Sequence, residues 1–276
     1  MLSLLRECIQ KSLIDLPDDV VSALKSAYAH EKNEIARIHL DNILKNIEIA
    51  KKDRLPLCQD TGLPIFFVEY GKDRTYSLDE IILAINDAVR DIHLLHPIRP
   101  SLVDPLTRKP IGYSPSPAFV HIEYTSEDAS YIHFLPKGAG SENASFVRMM
   151  SPTSTEDEIV NVIAENIRLS AGTPCPPIIL GVGIGGTLDL AALCAKKSLL
   201  RRISDKKHPL EKKIIDTVNA LGIGPMGDGG SITCLNVAVT TLPCHTASLP
   251  LAVNVQCWCA RRKSLILKNG KVYEDT

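Results

Sequence analysis

The run Ile178-Ile179-Leu180-Gly181-Val182-Gly183-Ile184-Gly185-Gly186 constrains this chain more than any other stretch. Its apolar start reads as a buried strand over Ile178–Val182, and the spacing of apolar residues over Leu188–Arg201 predicts a helix directly after it. Gly181, Gly183 and Gly186 satisfy G-x-G-x-x-G, the local pattern of a dinucleotide-binding turn. The rest of that unit is missing. Beyond the helix the chain is charged (RRISDKKHPLEKK) where a dinucleotide fold needs a second buried strand ending in an acid, and Asp205 has no strand before it. A glycine turn that lets backbone approach a ligand or another strand accounts for the same residues.

The remaining pattern mixes helices and strands. In the first fifty residues Leu, Ile and Ala recur at helical spacing, which predicts two or three amphipathic helices. A strand is expected at Ile65–Tyr70 and a helix from about Leu78 to Leu94, with Ser77 as cap and Glu80 at capping-box distance. Ala118–Tyr124 and Tyr131–Leu135 alternate as the arms of a hairpin around Ser126–Ser130. Helices at Thr155–Leu169 and Leu210–Leu221 and strands at Ser231–Thr241, Ala252–Gln256 and Leu265–Leu267 complete the order. The proline-rich loop His96–Pro117 is too long for a passive turn and marks a functional segment. With no internal repeat or clear linker, the fold class is α/β in the mixed α+β sense. Mixed β-sheets flanked by helices are expected in a single domain over residues 1–276.

Composition narrows the function. The chain is 45% hydrophobic and 23% charged, as an ordinary folded soluble protein is. Its 31 basic residues against 32 acidic ones leave a formal charge of -1, which argues against broad nucleic-acid binding. The first twenty residues lack a secretory apolar core, and no run reaches membrane-spanning length, so a cytoplasmic protein without a membrane partner is expected. In a reducing compartment its eight cysteines are buried hydrophobes, metal ligands or catalytic thiols before they are disulfides. Their neighbours divide them. Cys8, Cys194 and Cys234 lie among Leu, Ala and Val and read as core, while Cys244 and Cys259 stay open. Cys58 sits in polar LCQDTG, Cys175 among three prolines in GTPCPP, and Cys257 at a strand end before Arg261-Arg262. The spacing of a four-ligand zinc site is absent.

Five ordered segments, LCQDTG, HPIRPSLVDPLTR, PKGAGSENAS, GTPCPPIILGVGIGGTLDLAA and HTASLPLAVNVQCWCARR, resemble the amino-terminal part of class I fumarate hydratases. They equally resemble the alpha subunit of the related two-subunit tartrate dehydratases, from about residue 10 to 270. The resemblance implies that Cys58, Cys175 and Cys257 hold a 4Fe-4S cluster with one iron lacking a protein ligand. Such an iron is a Lewis acid for a hydroxyl that enters or leaves as water. It implies a C4 dicarboxylate substrate and the reversible hydration of fumarate to malate, with L-tartrate dehydration as the alternative. A non-catalytic iron–sulfur sensor or binding protein is the remaining reading.

The same resemblance assigns Gln59, Asp60, Arg99, Gly138 and His245 to the substrate, with Asp60 and His245 as catalytic groups. Arg99 offers a planar fork for a carboxylate, though a surface salt bridge uses the same group. Asp60 beside a turn suits a cap as well as an acid–base role. Gly138, and less directly Gly140, let main-chain amides approach an anion or simply turn the chain, and Ala139 departs from the commoner PKGGGSEN form. His245 would orient a carboxylate or move a proton, its other use being a structural hydrogen bond. Because the chain stops soon after these motifs, the resemblance implies a fumarase-type beta subunit, in an α2β2 assembly, that completes the active site.

Overall fold

In the computed structural model the described residues are 1–95, 98–112, 117–205 and 208–275, with 93–95 described by their backbone alone. The first half carries α1 (Leu2–Ile14), α2 (Asp18–His30), α3 (Glu34–Asp53), β1 (Leu63–Tyr70), α4 (Leu78–Leu95), β2 (Phe119–Tyr124) and β3 (Ser130–Lys137). Then come α5 (Ala139–Asn143), β4 (Phe146–Met150), α6 (Glu156–Ser170), β5 (Ile178–Gly185), α7 (Leu188–Ser198) and α8 (Pro209–Asn219). Strands β6 (Cys234–Leu242), β7 (Leu249–Gln256), β8 (Lys263–Lys268) and β9 (Lys271–Asp275) follow. Two compact units result. The first takes Met1–Pro17, Ile47–Gly138 and Arg261–Thr276, and the second takes Asp18–Asn46 and Ala139–Ala260, so the division falls inside α3. The expected class holds: mixed sheets with helices against them. Of the His96–Pro117 loop, 98–112 and 117 are described and the rest lies outside the described residues.

The first unit is a five-stranded sheet in the order β2-β1-β3-β8-β9, with α1 and α4 against it. Phe66 and Val68 of β1, Ile132 and Phe134 of β3, and Leu265 and Leu267 of β8 share a buried cluster with Leu5, Ile9, Ile81 and Ile85 of the two helices. The Phe66 and Phe134 rings stack with centroids 4.7 Å apart. Helix α4 starts on the expected capping box: Ser77 N–H donates to Glu80 Oε2 at 2.7 Å and Glu80 N–H to Ser77 Oγ at 3.3 Å. The expected hairpin does not form. Strand β1 lies between its two arms, parallel to β2 (Ile65↔Phe119) and antiparallel to β3 (Ile65↔Leu135). The reason is burial. β1 is the apolar strand, buried along nearly its whole length, and takes a central place, while β2 is mostly exposed and takes the edge. The link from β2 to β3 crosses the end of β1 at Gly71, where a side-chain carbon would stand 2.2 Å from the Ala129 oxygen.

The second unit has three layers. A sheet ordered β4-β7-β5-β6 carries α6 and α8 on one face and α7 on the other. The two-residue period of β5 shows why. Ile178, Leu180 and Val182 join the cluster formed with Ile159, Ile163 and Ile167 of α6 and Ile214 and Val218 of α8. The alternate residues Gly181 and Gly183 face α7, where a side-chain carbon would stand 2.0 Å from the Ala195 oxygen and 2.1 Å from the Ala191 oxygen. Close docking of a helix, rather than a nucleotide, uses these glycines. The next parallel strand, β6, comes only after α7 and α8 and ends at Leu242 with no acid there. Helix α6 has the full Thr155–Glu158 capping box, and α8 begins with Pro209 behind the His208 cap.

β6 starts at Cys234 and not at Ser231, because residues 231–232 are claimed elsewhere. Glu31, just past α2, is buried and accepts from Lys32 N, Asn33 N, Ser231 N, Ser231 Oγ and Ile232 N at 2.7–3.1 Å. Burial pushes its carboxyl up, but the donors at Asn33, Ser231 and Lys32 outweigh that and hold it below the usual carboxylate range. The short elements α5, β4 and β9 are absent from the sequence expectation.

Candidate active site

Within the first unit, five expected site residues meet at one end of the sheet. The loop after α3 is pinned by Leu57, whose N–H donates to Leu13 O at 2.8 Å and whose side chain is buried. It then presents half-buried Cys58, exposed Gln59 and half-buried Asp60. Gly62, at φ +84°, presses on the end of β3, where a side-chain carbon would stand 2.8 Å from Lys137 N. No other residue fits there without strain. Since Leu63 pairs with Lys137, Gly138 follows at the same end of the sheet. Arg99 is exposed, and its main-chain N–H donates to Thr61 Oγ1 at 3.1 Å, tying the proline-rich loop to the same place. Asp60 Oδ1 accepts from Gly62 N at 3.0 Å, and its main-chain oxygen accepts from Arg261 Nη2 at 3.0 Å. Arg261 and Lys137 are both fully buried. They lie at the end of the sheet that also carries the Asp60 carboxylate and exposed Arg99. The sequence reading passed over both buried cations, and only their nearness to the motifs in sequence marked them.

Within the second unit, Cys175 and Cys257 are brought together. Cys175 is exposed and holds a left-handed backbone, φ +52°, which is rare outside glycine and costs energy that the surrounding turn supplies. Its N–H donates to Gly172 O at 2.9 Å, and its own carbonyl accepts from Trp258 N at 3.2 Å. Trp258 is buried directly after half-buried Cys257, so the end of β7 is stitched to the Cys175 turn. The turn is backed by a glycine loop: Met226 N donates to Pro176 O at 2.9 Å, and Gly172 admits the Met226 oxygen where a side-chain carbon would stand 2.8 Å away. Gly140 lies against the same turn, 2.9 Å from the Thr173 oxygen by the same measure, so packing accounts for it without a ligand.

His245 lies elsewhere. It is exposed in the β6–β7 turn, with Nδ1 accepting from Ala247 N at 3.1 Å. Cys257 follows the opposite end of β7, an eight-residue strand, which separates the two by roughly 26 Å at about 3.3 Å per residue.

The cysteines sort by environment. Cys8, Cys234 and Cys259 are buried, Cys194 is half-buried rather than core, and Cys244 is exposed. Burial, with Glu274 adding to it, pushes the Cys8 thiol up to about 12, so it is inert as a ligand. Cys58, Cys175 and Cys257 are all at least partly accessible and sit on rigid turns, a donor set that suits an iron–sulfur cluster. Among the described residues no three His, Cys, Asp or Glu side chains converge as a group for one metal ion.

Comparison with known proteins adds to this geometry. The family described as Fumarate hydratase (Fumerase) matches residues 3–266, and thus reaches through both units. The chain is 42% identical over 268 residues to a Methanocaldococcus jannaschii protein bearing the provisional name L(+)-tartrate dehydratase subunit alpha, covering 93% of each. It is 28% identical over 269 residues to the L(+)-tartrate dehydratase subunit alpha of Escherichia coli strain K12, covering 94% of this chain and 88% of that one. No helix among the described residues is long and apolar enough to cross a membrane.

Proposed function

Because the chain belongs to the fumarate hydratase (Fumerase) family and is a hydro-lyase, we propose that it is the alpha subunit of a two-subunit 4Fe-4S enzyme acting on a C4 dicarboxylate. The observation that carries this reading is the hydrogen bond from Trp258 N to Cys175 O, which gathers two of the three proposed thiolate ligands at one turn. Cys58, Cys175 and Cys257 would hold the cluster. When bound, it supplies a Lewis-acidic iron for the hydroxyl that enters or leaves as water.

The chain's own residues do the rest. The Arg99 fork binds one substrate carboxylate, and the main chain at Gly138 and the side chain of Gln59 orient the other polar groups. Asp60, its carboxylate aimed by Gly62 N–H, exchanges a proton with the substrate. His245 is assigned to a carboxylate or to proton movement, and the carbon-bound proton falls to a base of the beta subunit. An α2β2 assembly in the cytoplasm, whose reducing conditions suit exposed thiolates, completes the reading. Two reactions share this machinery: hydration of fumarate to malate, supported by the family, and dehydration of L(+)-tartrate, supported by the name of the 42% identical relative.

Anaerobic co-expression with candidate beta subunits, followed by assays on fumarate, malate and L-tartrate, tests the proposal. Turnover of at least one of them is expected, with loss of cluster absorbance in Cys58→Ser. Absence of turnover on all three, or a full cluster in Cys58→Ser, would defeat it.

A further inference from the structure

Strand β2 is an edge of the first unit's sheet, and among the described residues no strand pairs with its outer side. The opposite edge, β9, carries Lys271, Glu274 and Asp275, charges of the kind that keep an edge from pairing. β2 has no such guard. Over Phe119–Tyr124 it holds neither lysine, proline nor glycine, and it exposes Phe119, Ile122 (41%) and Tyr124 (71%). Thr125 N–H, one residue beyond the strand, donates to Tyr70 O at 3.0 Å, toward β1. Main-chain groups alternate in direction along an extended strand, so those of His121 and Glu123 also point to β1, and those of Val120, Ile122 and Tyr124 point out. Ala118 N–H is taken by Asn86 Oδ1 of α4 at 3.1 Å, so the open edge begins at Val120.

An antiparallel copy of β2 fits that edge in one register. Centred on Ile122, it sets Ile122 against Ile122 and Val120 against Tyr124 as hydrogen-bonded pairs, each exchanging two main-chain bonds. His121 then falls opposite Glu123 on both sides of the centre, in non-hydrogen-bonded pairs, where side chains stand closest. Both residues are exposed, and an imidazole N–H donates to a carboxylate whether or not the ring is charged. A slip of two residues sets His121 against His121 or Glu123 against Glu123, and a slip of one turns the apolar side chains to the wrong face. The two-fold axis stands perpendicular to the sheet, so both α4 helices flank the seam on one face. Asn86 marks the side of α4 that overhangs β2, and Leu83, one turn earlier on that side, is 64% exposed.

We propose that two copies of this chain associate through β2, joining their sheets across an Ile122-centred antiparallel seam that His121–Glu123 pairs lock in register and Leu83 covers. This goes beyond the α2β2 reading by naming a surface, and it stands without the cluster, the substrate or the beta subunit.

The full chain alone is tested by sedimentation equilibrium over a wide concentration range, with amide hydrogen exchange read along β2. A monomer–dimer equilibrium is expected, with the Val120, Ile122 and Tyr124 amides exchanging several-fold more slowly in the dimer. His121→Glu and Glu123→Lys each lose the complementary pairs and should weaken association about tenfold. The two changes together restore opposite charges and should recover most of that loss. Ile122→Pro removes an outward N–H at the centre without touching the β1 ladder, and should abolish the dimer while melting near the parent. A monomer at every concentration, or a dimer that none of these variants alters, would overturn the proposal. A chain that is monomeric alone and protects its β2 amides only when a beta subunit binds overturns it in favour of that partner. If Ile122→Pro fails to fold, the charge series decides: single variants that associate like the parent, or a double variant no tighter than the singles, overturn it.

Discussion

Glu31 shows how a single buried carboxylate organises a loop. Its five donors come from its own turn and from residues 231–232, and they start the path through the glycine loop to the Cys175 turn. Because its folded-state pKa is depressed, the stability it contributes is present above its unfolded value near 4.5 and is lost as pH falls through the folded one. Glu31→Gln should therefore cost about 1–3 kcal/mol in urea titrations at pH 7, with the gap to the parent narrowing at pH 3. An equal gap at both pH values would contradict this. Nothing around Glu31 announces the role; in AHEKNE it reads as one more charge near a helix end. Cys58 and Cys175 were legible because polar or proline neighbours are unusual for a thiol. Cys194 was not, since a half-buried helix position and a core one share the same neighbours.

At the scale of elements, local rules carried well and pairing rules did not. The cap at Ser77 and the lengths of α4 and α6 follow from sequence spacing alone, while Thr155, expected as the first residue of its helix, is the cap. The β2–β3 pairing failed because adjacency in sequence favoured a hairpin, whereas the burial of β1 on both sides of the sheet decided its place. The glycines of β5 were recognised as a close approach, but which partner approached needed the fold. Gly183→Ala should push α7 off the sheet and cost about 1–3 kcal/mol or more, seen as a lower urea midpoint with an unchanged slope. The same change at Gly112, where a side-chain carbon meets none of the described residues within 4 Å, should be close to neutral.

At the scale of the molecule, the candidate site was legible as a set of motifs but not as an arrangement. Cys58, Gln59, Asp60, Arg99 and Gly138 collect in one unit, and Cys175 and Cys257 in the other, while His245 stands at the far end of β7. The eight-residue length of β7 sets His245 apart from the Cys175–Cys257 turn. If His245 and that turn serve one reaction in the proposed assembly, a second copy of the chain would supply His245. His245→Ala should then lower turnover at least about tenfold with cluster content intact. Mixed assemblies of His245→Ala and Cys58→Ser chains should regain part of it, and failure to regain any would contradict action between chains.

The first unit is stitched from three separate stretches, the last beginning at Arg261. On a ribosome delivering about 5–20 residues per second, residues 139–260 are complete before β8 and β9 exist. Until those strands emerge, β3 lacks its neighbour and Asp60 lacks the Arg261 clasp. The Cys58 loop thus gains one of its supports, the Arg261 clasp, only after the whole of residues 139–260 has been translated. If the proposed cluster is held at this loop, its loading would belong after synthesis, and a nascent chain stalled before Arg261 should present Cys58 as a less supported, more oxidisable thiol.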